Sequence, residues 1–235
     1  MGRNGLERKI NNLDNILILP ELRSYAPEIY EQGNWEHMMS QVRSGDVTAD
    51  VGAYIGLYTI ALAKRVGPLG KVFAFEPHSK NFEILQAQIK LNNIENRVEL
   101  IQKAVCAKND LTPFELLDNT SHITFTQNDR TVMVNGITLD SIFADRRLDI
   151  LKIDVEGGEE EVLKGAINLL CDRARCPRAI YIDIHPFVWP CMGTTNESLS
   201  ALLTEKCDFK VIDFRGEPIR QISSHSRIIA IKKCR

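Results

Sequence analysis

The sequence predicts an α/β fold, a mostly parallel sheet wound with helices. Three observations predict it. Short apolar runs alternate with stretches of helical spacing through most of the chain, the rhythm of parallel strands joined by right-handed crossovers. A turn holding Gly52 and Gly56 separates the first run from its helix. Runs end on polar residues: Asp50, Glu76, Lys103, Asp154, Glu156 and His185 lie at or just past them. In an open α/β sheet, ligands sit at the carboxyl ends of strands, so these residues are the site candidates.

Length and composition agree. The 235 residues suit one domain and could just accommodate two small ones, with 44% hydrophobic and 26% charged residues. The 29 basic and 31 acidic residues nearly cancel, giving a net charge of −2. That balance gives no basic surface for nucleic acid or an anionic membrane, so neither is an expected partner. None of the six cysteines has the paired spacing of a zinc site, and reduced structural thiols are expected. The apolar run Ile16 to Leu19 is far too short for a membrane span or a secretory signal. A soluble, cytoplasmic protein is the expectation.

Taken in order, residues 1–30 read as polar and irregular, with Pro20 and Pro27 as breakers. Residues 29–42 have helical spacing through Trp35, Met38, Met39 and Val42. Residues 1–45 thus form an N-terminal extension with a leading helix, and 46–235 the main domain. DVTADVG is the first strand of that domain, IGLYTIALAKRV its helix and KVFAFEP the second strand. Ser79 caps the next helix, and Val98 to Val105 is the third strand. The rhythm breaks over 106–140, where short β-like pieces between polar turns predict a small antiparallel insertion over the sheet edge. The pieces are FELL, HITFT and TVMV. ITLDSIF is a strand end or short helix. LDILKIDVEG is strand four, Glu159 to about Leu170 a helix, and AIYIDIHP strand five. A helix from Glu197 to Lys206 precedes two strands, FKVIDF and RIIAIKK. A polar loop joins them, so they pair antiparallel.

The glycine turn carries the first chemical signal. In Asp50-Val51-Gly52-Ala53-Tyr54-Ile55-Gly56, glycines let the backbone approach a ligand and point amide N–H groups at it. Glu76, followed by Pro77, lies 20 residues after Gly56, where a carboxylate accepts hydrogen bonds from ribose hydroxyls. Tyr54 stands where a pyrophosphate would need room, and Asp50 would repel phosphate. A nucleoside cofactor without phosphates and with a cationic centre fits, and S-adenosylmethionine has both properties.

LKIDVEGGE carries the second signal. Strand alternation puts Lys152 and Asp154 on one side, with Glu156 continuing past the end. Asp154 and Glu156 could orient a substrate hydroxyl, hold the methionine part of the cofactor, or bind Mg²⁺ through oxygen. No metal ligand is assigned, and Mg²⁺ stays an open alternative. Glu159, Glu160 and Glu161 read as acids that favour a helix start. His185 ends strand five and is suited to take a proton near neutral pH, with Asp183 two residues earlier to orient it. His122 in the insertion could touch substrate, and a packing role is expected for Trp189.

With these residues in place, the chain resembles the FkbM-type methyltransferases from about Asp46 to the C-terminus. The resemblance rests on GDVTADVGAYIGLYTIALAKRVGPLGKVFAFEPHSKNFEIL, on ITLDSI and on LDILKIDVEGGEEEVLKGA. It implies a Rossmann-like class I methyltransferase fold with a seven-stranded, mostly parallel sheet and an antiparallel last strand. It also implies O-methylation of a hydroxyl on a sugar or secondary metabolite. By position, Asp50, Gly52, Ala53, Tyr54 and Gly56 would line the methionine side of S-adenosylmethionine. Glu76 and Pro77 would hold the ribose, and Lys103 and Ala104 would border the adenine. Asp154, Glu156 and His185 would face the methyl group, with His185 first and Asp154 second as base. The family usually has Asn where this chain has Tyr54. That departure favours the alternative, a non-catalytic binding or interaction protein with the same fold. A nicotinamide-dependent oxidoreductase is disfavoured by Tyr54 and Asp50. The acceptor is a small-molecule or glycan hydroxyl that loops 106–140 and 186–196 would shape, and oligomeric state is unreadable.

Overall fold

The computed structural model describes residues 5–115, 122–124 and 129–233. Parts of the FELL and HITFT pieces and of the turns beside them lie outside the described residues. The chain forms two compact units, Met1–Ile101 and Gln102–Arg235.

The first unit opens on an antiparallel hairpin, β1 (Leu6–Ile10) and β2 (Asp14–Ile18), where an irregular segment was expected. Its turn holds Asn11 and Asn12 at φ 51° and 56°, a conformation that asparagine tolerates better than most residues. Polar side chains of a later helix fasten it down. Asn92 accepts from Leu17 N–H and donates to Leu17 C=O, and Gln88 accepts from Leu19 N–H. Next come α1 (Gln32–Gln41), β3 (Val47–Val51), α2 (Leu57–Val66), β4 (Lys71–Phe75), α3 (Ser79–Leu91) and β5 (Val98–Ile101). Trp35 on α1 is fully buried against Tyr58 on α2 and donates its indole N–H to Asp14 at 2.8 Å. Arg65 meets the same carboxylate at 2.9 Å, so this buried acid is paired. The cap of α3 is His78, whose Nδ1 accepts from Asn81 N–H, and not Ser79. Strands β3, β4 and β5 run parallel.

The second unit starts with β6 (Ala104–Val105), β7 (Leu111–Glu115), β8 (His122–Ile123) and β9 (Thr131–Ile137). These form a four-stranded sheet in the order β6-β9-β7-β8, mixed because β6 pairs parallel with β9. The expected third strand is therefore two, β5 and β6, broken at Gln102 and Lys103. Helix α4 (Leu139–Ile142), β10 (Ile150–Ile153), α5 (Glu159–Lys164) and α6 (Ile167–Cys171) follow. The expected single helix splits at Gly165, where a Cβ would stand 2.0 Å from the Cys106 carbonyl oxygen. Then come β11 (Ala179–Asp183), α7 (Trp189–Met192), α8 (Asn196–Ala201), β12 (Phe209–Ile212) and β13 (Arg227–Lys232). A wide π turn, Leu202–Lys206, follows α8 directly.

Seven strands make the main sheet, in the order β12-β13-β11-β10-β3-β4-β5. β10 and β11 are parallel, while β13 runs antiparallel to both β11 and β12. The expected mostly parallel sheet with an antiparallel last strand is what forms. Among the described residues, no helix is long and apolar enough to cross a membrane.

Candidate active site

In the first unit, the end of β3 and the start of α2 are tied to the end of β4. Gly52 N–H and Ala53 N–H both donate to Phe75 C=O, at 3.0 and 2.9 Å. Gly52 and Gly56 have φ of 81° and 89°. At Gly56 the positive φ favours glycine, and a Cβ would also displace the end of the Leu85 side chain of α3, 2.5 Å away. Asp50 is buried at the end of β3 and accepts from Thr59 Oγ1 at 2.6 Å.

Glu76 is 5% exposed. Its two carboxylate oxygens accept from Tyr54 N–H and His78 N–H, each at 2.9 Å, and Asn81 adds a side-chain donor. Burial pushes its carboxyl up to about 7, against the pull of these donors, and the charge of Asp50 pushes the same way. A buried acid fixed by backbone amides, with acceptor capacity left, is the arrangement that a ribose diol recognises. Pro77 follows directly and is half-buried. The residues of this unit thus fit a nucleoside cofactor.

Tyr54 sits at φ 50°, the left-handed region. Asparagine is favoured there and tyrosine is not, which gives the usual Asn a backbone reason. The ring of Tyr54 packs edge-on against Tyr25, centroids 6.2 Å apart, while its N–H orients Glu76. Tyr54→Asn should therefore relieve about 1 kcal/mol of backbone strain and leave S-adenosylhomocysteine affinity within about threefold, measured by calorimetry. A larger loss would mean that the tyrosine ring itself contacts the cofactor.

In the second unit, the chain beyond β10 turns sharply. Glu156 has φ 51° and Gly157 φ 105°. A Cβ on Gly157 would stand 2.5 Å from Cβ of Val188, so glycine lets this turn close on the loop after β11. That contact brings the two halves of the cluster together. His185 Nε2 lies 3.5 Å from Glu156 Oε2 and 3.9 Å from Asp154 Oδ1. Asp154 is held by the buried Lys152 ammonium at 3.2 Å.

The orienting acid is Glu159, and not Asp183. Glu159 is fully buried. Its Oε1 meets His185 Nδ1 at 2.8 Å and accepts from Gly157 N–H at 2.9 Å, and its Oε2 accepts from Trp189 Nε1 at 3.0 Å. Asp183 pairs instead with Arg227, which stands directly opposite it in the antiparallel β11–β13 ladder. Trp189, expected to pack, is buried and also holds Glu159 in place. Burial would lower the His185 imidazole. The bond to Glu159 and the charges of Glu156 and Asp154 outweigh it and push His185 up to about 9. Among the described residues, donor atoms of Asp154, Glu156 and His185 all lie within 4.8 Å of one another, a separation that a metal ion could span.

Lys103 sits in the break between β5 and β6. It lines an open, polar cavity of about 360 Å³ with Asn109, Asp110, Asn135 and Ser141. Ala104 is buried in β6. Phe187, not singled out from sequence, is 73% exposed and lies edge-on to His185, ring centroids 6.1 Å apart.

Residues 50–211 match the methyltransferase FkbM domain. The chain belongs to this family. The FkbM chain is 27% identical over 172 residues to the hexuronic acid methyltransferase AglP of Haloferax volcanii, covering 72% of this chain and 68% of that one. It is 26% identical to the methyltransferase sdnD of Sordaria araneosa, covering 60% of this chain and 68% of that one. Among solved structures, a SAM-dependent O-methyltransferase from Thermotoga maritima superposes with TM-score 0.51 at 17% identity, over 93% of this chain and 74% of that one. An rRNA-methylase from Clostridium thermocellum gives 0.50 at 15%, over 83% and 89%. At these identities the structures show the shared class I methyltransferase fold, and the FkbM match carries the activity class.

Proposed function

We propose that this FkbM methyltransferase transfers the methyl group of S-adenosylmethionine to a hydroxyl of a sugar or secondary metabolite. The observation that carries the reading is the Asp154–Glu156–His185 cluster with its buried brace, Glu159. The relative named for a hexuronic acid supports the sugar class. A hexuronic acid offers both hydroxyls and a carboxylate, and Asp154 and Glu156 can accept hydrogen bonds from the hydroxyls but not from an ionised carboxylate.

S-adenosylmethionine supplies a methyl on a sulfonium, whose leaving group is a neutral thioether. Asp50, Gly52, Ala53, Tyr54 and Gly56 form the turn that would hold its methionine part. Glu76, with Pro77 behind it, would take the ribose hydroxyls, and Lys103 with Ala104 would border the adenine. The remaining work is to place the acceptor oxygen and remove its proton. Placement is worth up to roughly 7–11 kcal/mol for a well-oriented pair. His185 Nε2 is the group that takes the proton. Glu159 holds the opposite ring nitrogen and stabilises the imidazolium that results. Asp154, fixed by Lys152, and Glu156 flank His185 Nε2 and would accept from neighbouring hydroxyls of the acceptor, which aligns the reacting one. Phe187 offers an exposed ring beside His185 on which the apolar face of an acceptor can rest.

A divalent ion at the same donors is the competing chemistry. Mg²⁺ prefers oxygen ligands, and one of the three donors here is an imidazole nitrogen. With His185 as the base, methyl transfer in excess chelator should equal that with added Mg²⁺. A rate that falls to background in chelator and returns with Mg²⁺ would place an ion on Asp154 and Glu156.

The reading is tested with methyl-labelled S-adenosylmethionine and a panel of sugars, sugar acids and hydroxylated metabolites. Label recovered as a base-stable methyl ether supports it. Label recovered only as a base-labile methyl ester, or on RNA, would replace the hydroxyl acceptor.

A further inference from the structure

Among the thiols of the described residues, Cys171 and Cys207 stand apart. Their Sγ atoms are 3.4 Å from each other, although 36 residues separate them in sequence. Cys171 ends α6 and is exposed, and Cys207 follows the π turn after α8 and is buried. The two backbones are clamped at the same place. Lys232 Nζ donates to Leu170 C=O at 2.8 Å and to Cys207 C=O at 2.6 Å, so one ammonium ties the residue before one cysteine to the other cysteine itself. Cys171 Sγ also donates to Lys206 C=O at 3.4 Å. A disulfide needs about 2.05 Å between sulfurs, so the two have to approach by a little over 1 Å.

We propose that Cys171 and Cys207 form a reversible dithiol–disulfide site that a peroxide oxidises, covalently closing the segment that carries His185. The exposed sulfur reacts first. Cys171 sulfur attacks a peroxide oxygen, the O–O bond breaks, and Cys171 becomes a sulfenic acid while one water (or alcohol) leaves. Cys207 sulfur then attacks the Cys171 sulfur. The S–S bond forms, the S–O bond breaks, and the hydroxyl leaves as water with the Cys207 proton. Two thiols have lost two electrons to one peroxide. An added dithiol returns both electrons by exchange through a mixed disulfide. Cys171 is exposed and Cys207 buried, so Cys171 meets the peroxide first; burial and the neighbouring Cys171 hold the Cys207 thiol up at about 12, so Cys207 stays a thiol until it gives up its proton in the second step. The site lies within the second unit. The loop it closes, 171–207, includes β11, His185 and Trp189, so the bridge restrains the segment that presents the candidate base.

The test uses the reduced full chain and hydrogen peroxide. Two thiols should be lost per chain, non-reducing peptide mapping should recover a Cys171–Cys207 linked peptide, and dithiothreitol should restore both thiols. The bridged form should melt about 5–15 °C higher. Cys171→Ser, at an exposed position, should abolish the link and the shift, while Cys191→Ser should leave both. Oxidation of Cys171 to sulfinic acid without a link, a link between other cysteines, or a link without change in melting temperature on reduction would overturn the proposal. None of these readouts depends on cofactor or acceptor.

Discussion

Replacing His185 with alanine should lower methyl transfer by about 10²–10⁴-fold at saturating cofactor and acceptor, with cofactor affinity unchanged. The range is that of a positioned general base. The pH profile gives the finer test. With its imidazole pushed up to about 9, His185 is only about 1% unprotonated at pH 7 and half unprotonated at pH 9. The base form grows as pH rises, so the rate should climb with pH by roughly fifty-fold between 7 and 9 and level off above. The groups that set this are Glu159 at Nδ1 and Glu156 and Asp154 at Nε2. The alanine variant should lose the climb along with the rate. Glu159→Gln keeps the side chain's shape and removes its charge, so the plateau should be reached at lower pH. An unchanged rate in His185→Ala would pass the base role to Asp154.

Glu76→Gln should weaken S-adenosylmethionine and S-adenosylhomocysteine binding by about 10–100-fold, the 1.5–3 kcal/mol expected of hydrogen bonds to a charged acceptor. Here too the sign follows from the shift. Burial has raised the Glu76 carboxyl to about 7, and ribose hydroxyls donate to its ionised form. Binding therefore expels the proton. Affinity should rise as pH increases through 7, be about tenfold weaker at pH 6 than at pH 8, and flatten above 8. The glutamine variant should bind weakly with no such slope.

Most of the main sheet was legible because its signals are local. DVTADVG, KVFAFEP and LKIDVEG are apolar runs bounded by turn residues, and each became a strand where expected. The failures share a cause, which is contact between residues distant in sequence. The hairpin β1–β2 has short, charged strands, and what secures it is Asn92 and Gln88 some 70 residues on. Its one local sign was the Asn11-Asn12 pair. The helix breaks at Gly165, where the Cys106 carbonyl, distant in sequence, leaves no room for a Cβ. Glu159 looked like any acid at a helix start. Its burial depends on Gly157 admitting Val188, which brings His185 and Trp189 over. Asp183, two residues from His185, was the closer partner in sequence and the wrong one in space.

Tyr54 stands in the glycine turn where the resembled family usually has asparagine. Its left-handed backbone and its N–H bond to Glu76 give it a role that does not require an asparagine side chain. The most direct test of the account is therefore calorimetric titration of the intact chain with S-adenosylhomocysteine at pH 8. One equivalent should bind in the wild type and binding should be weakened tenfold or more in Glu76→Gln. No heat with the wild-type chain, or equal affinity in both proteins, would contradict a cofactor site built on the glycine turn and Glu76.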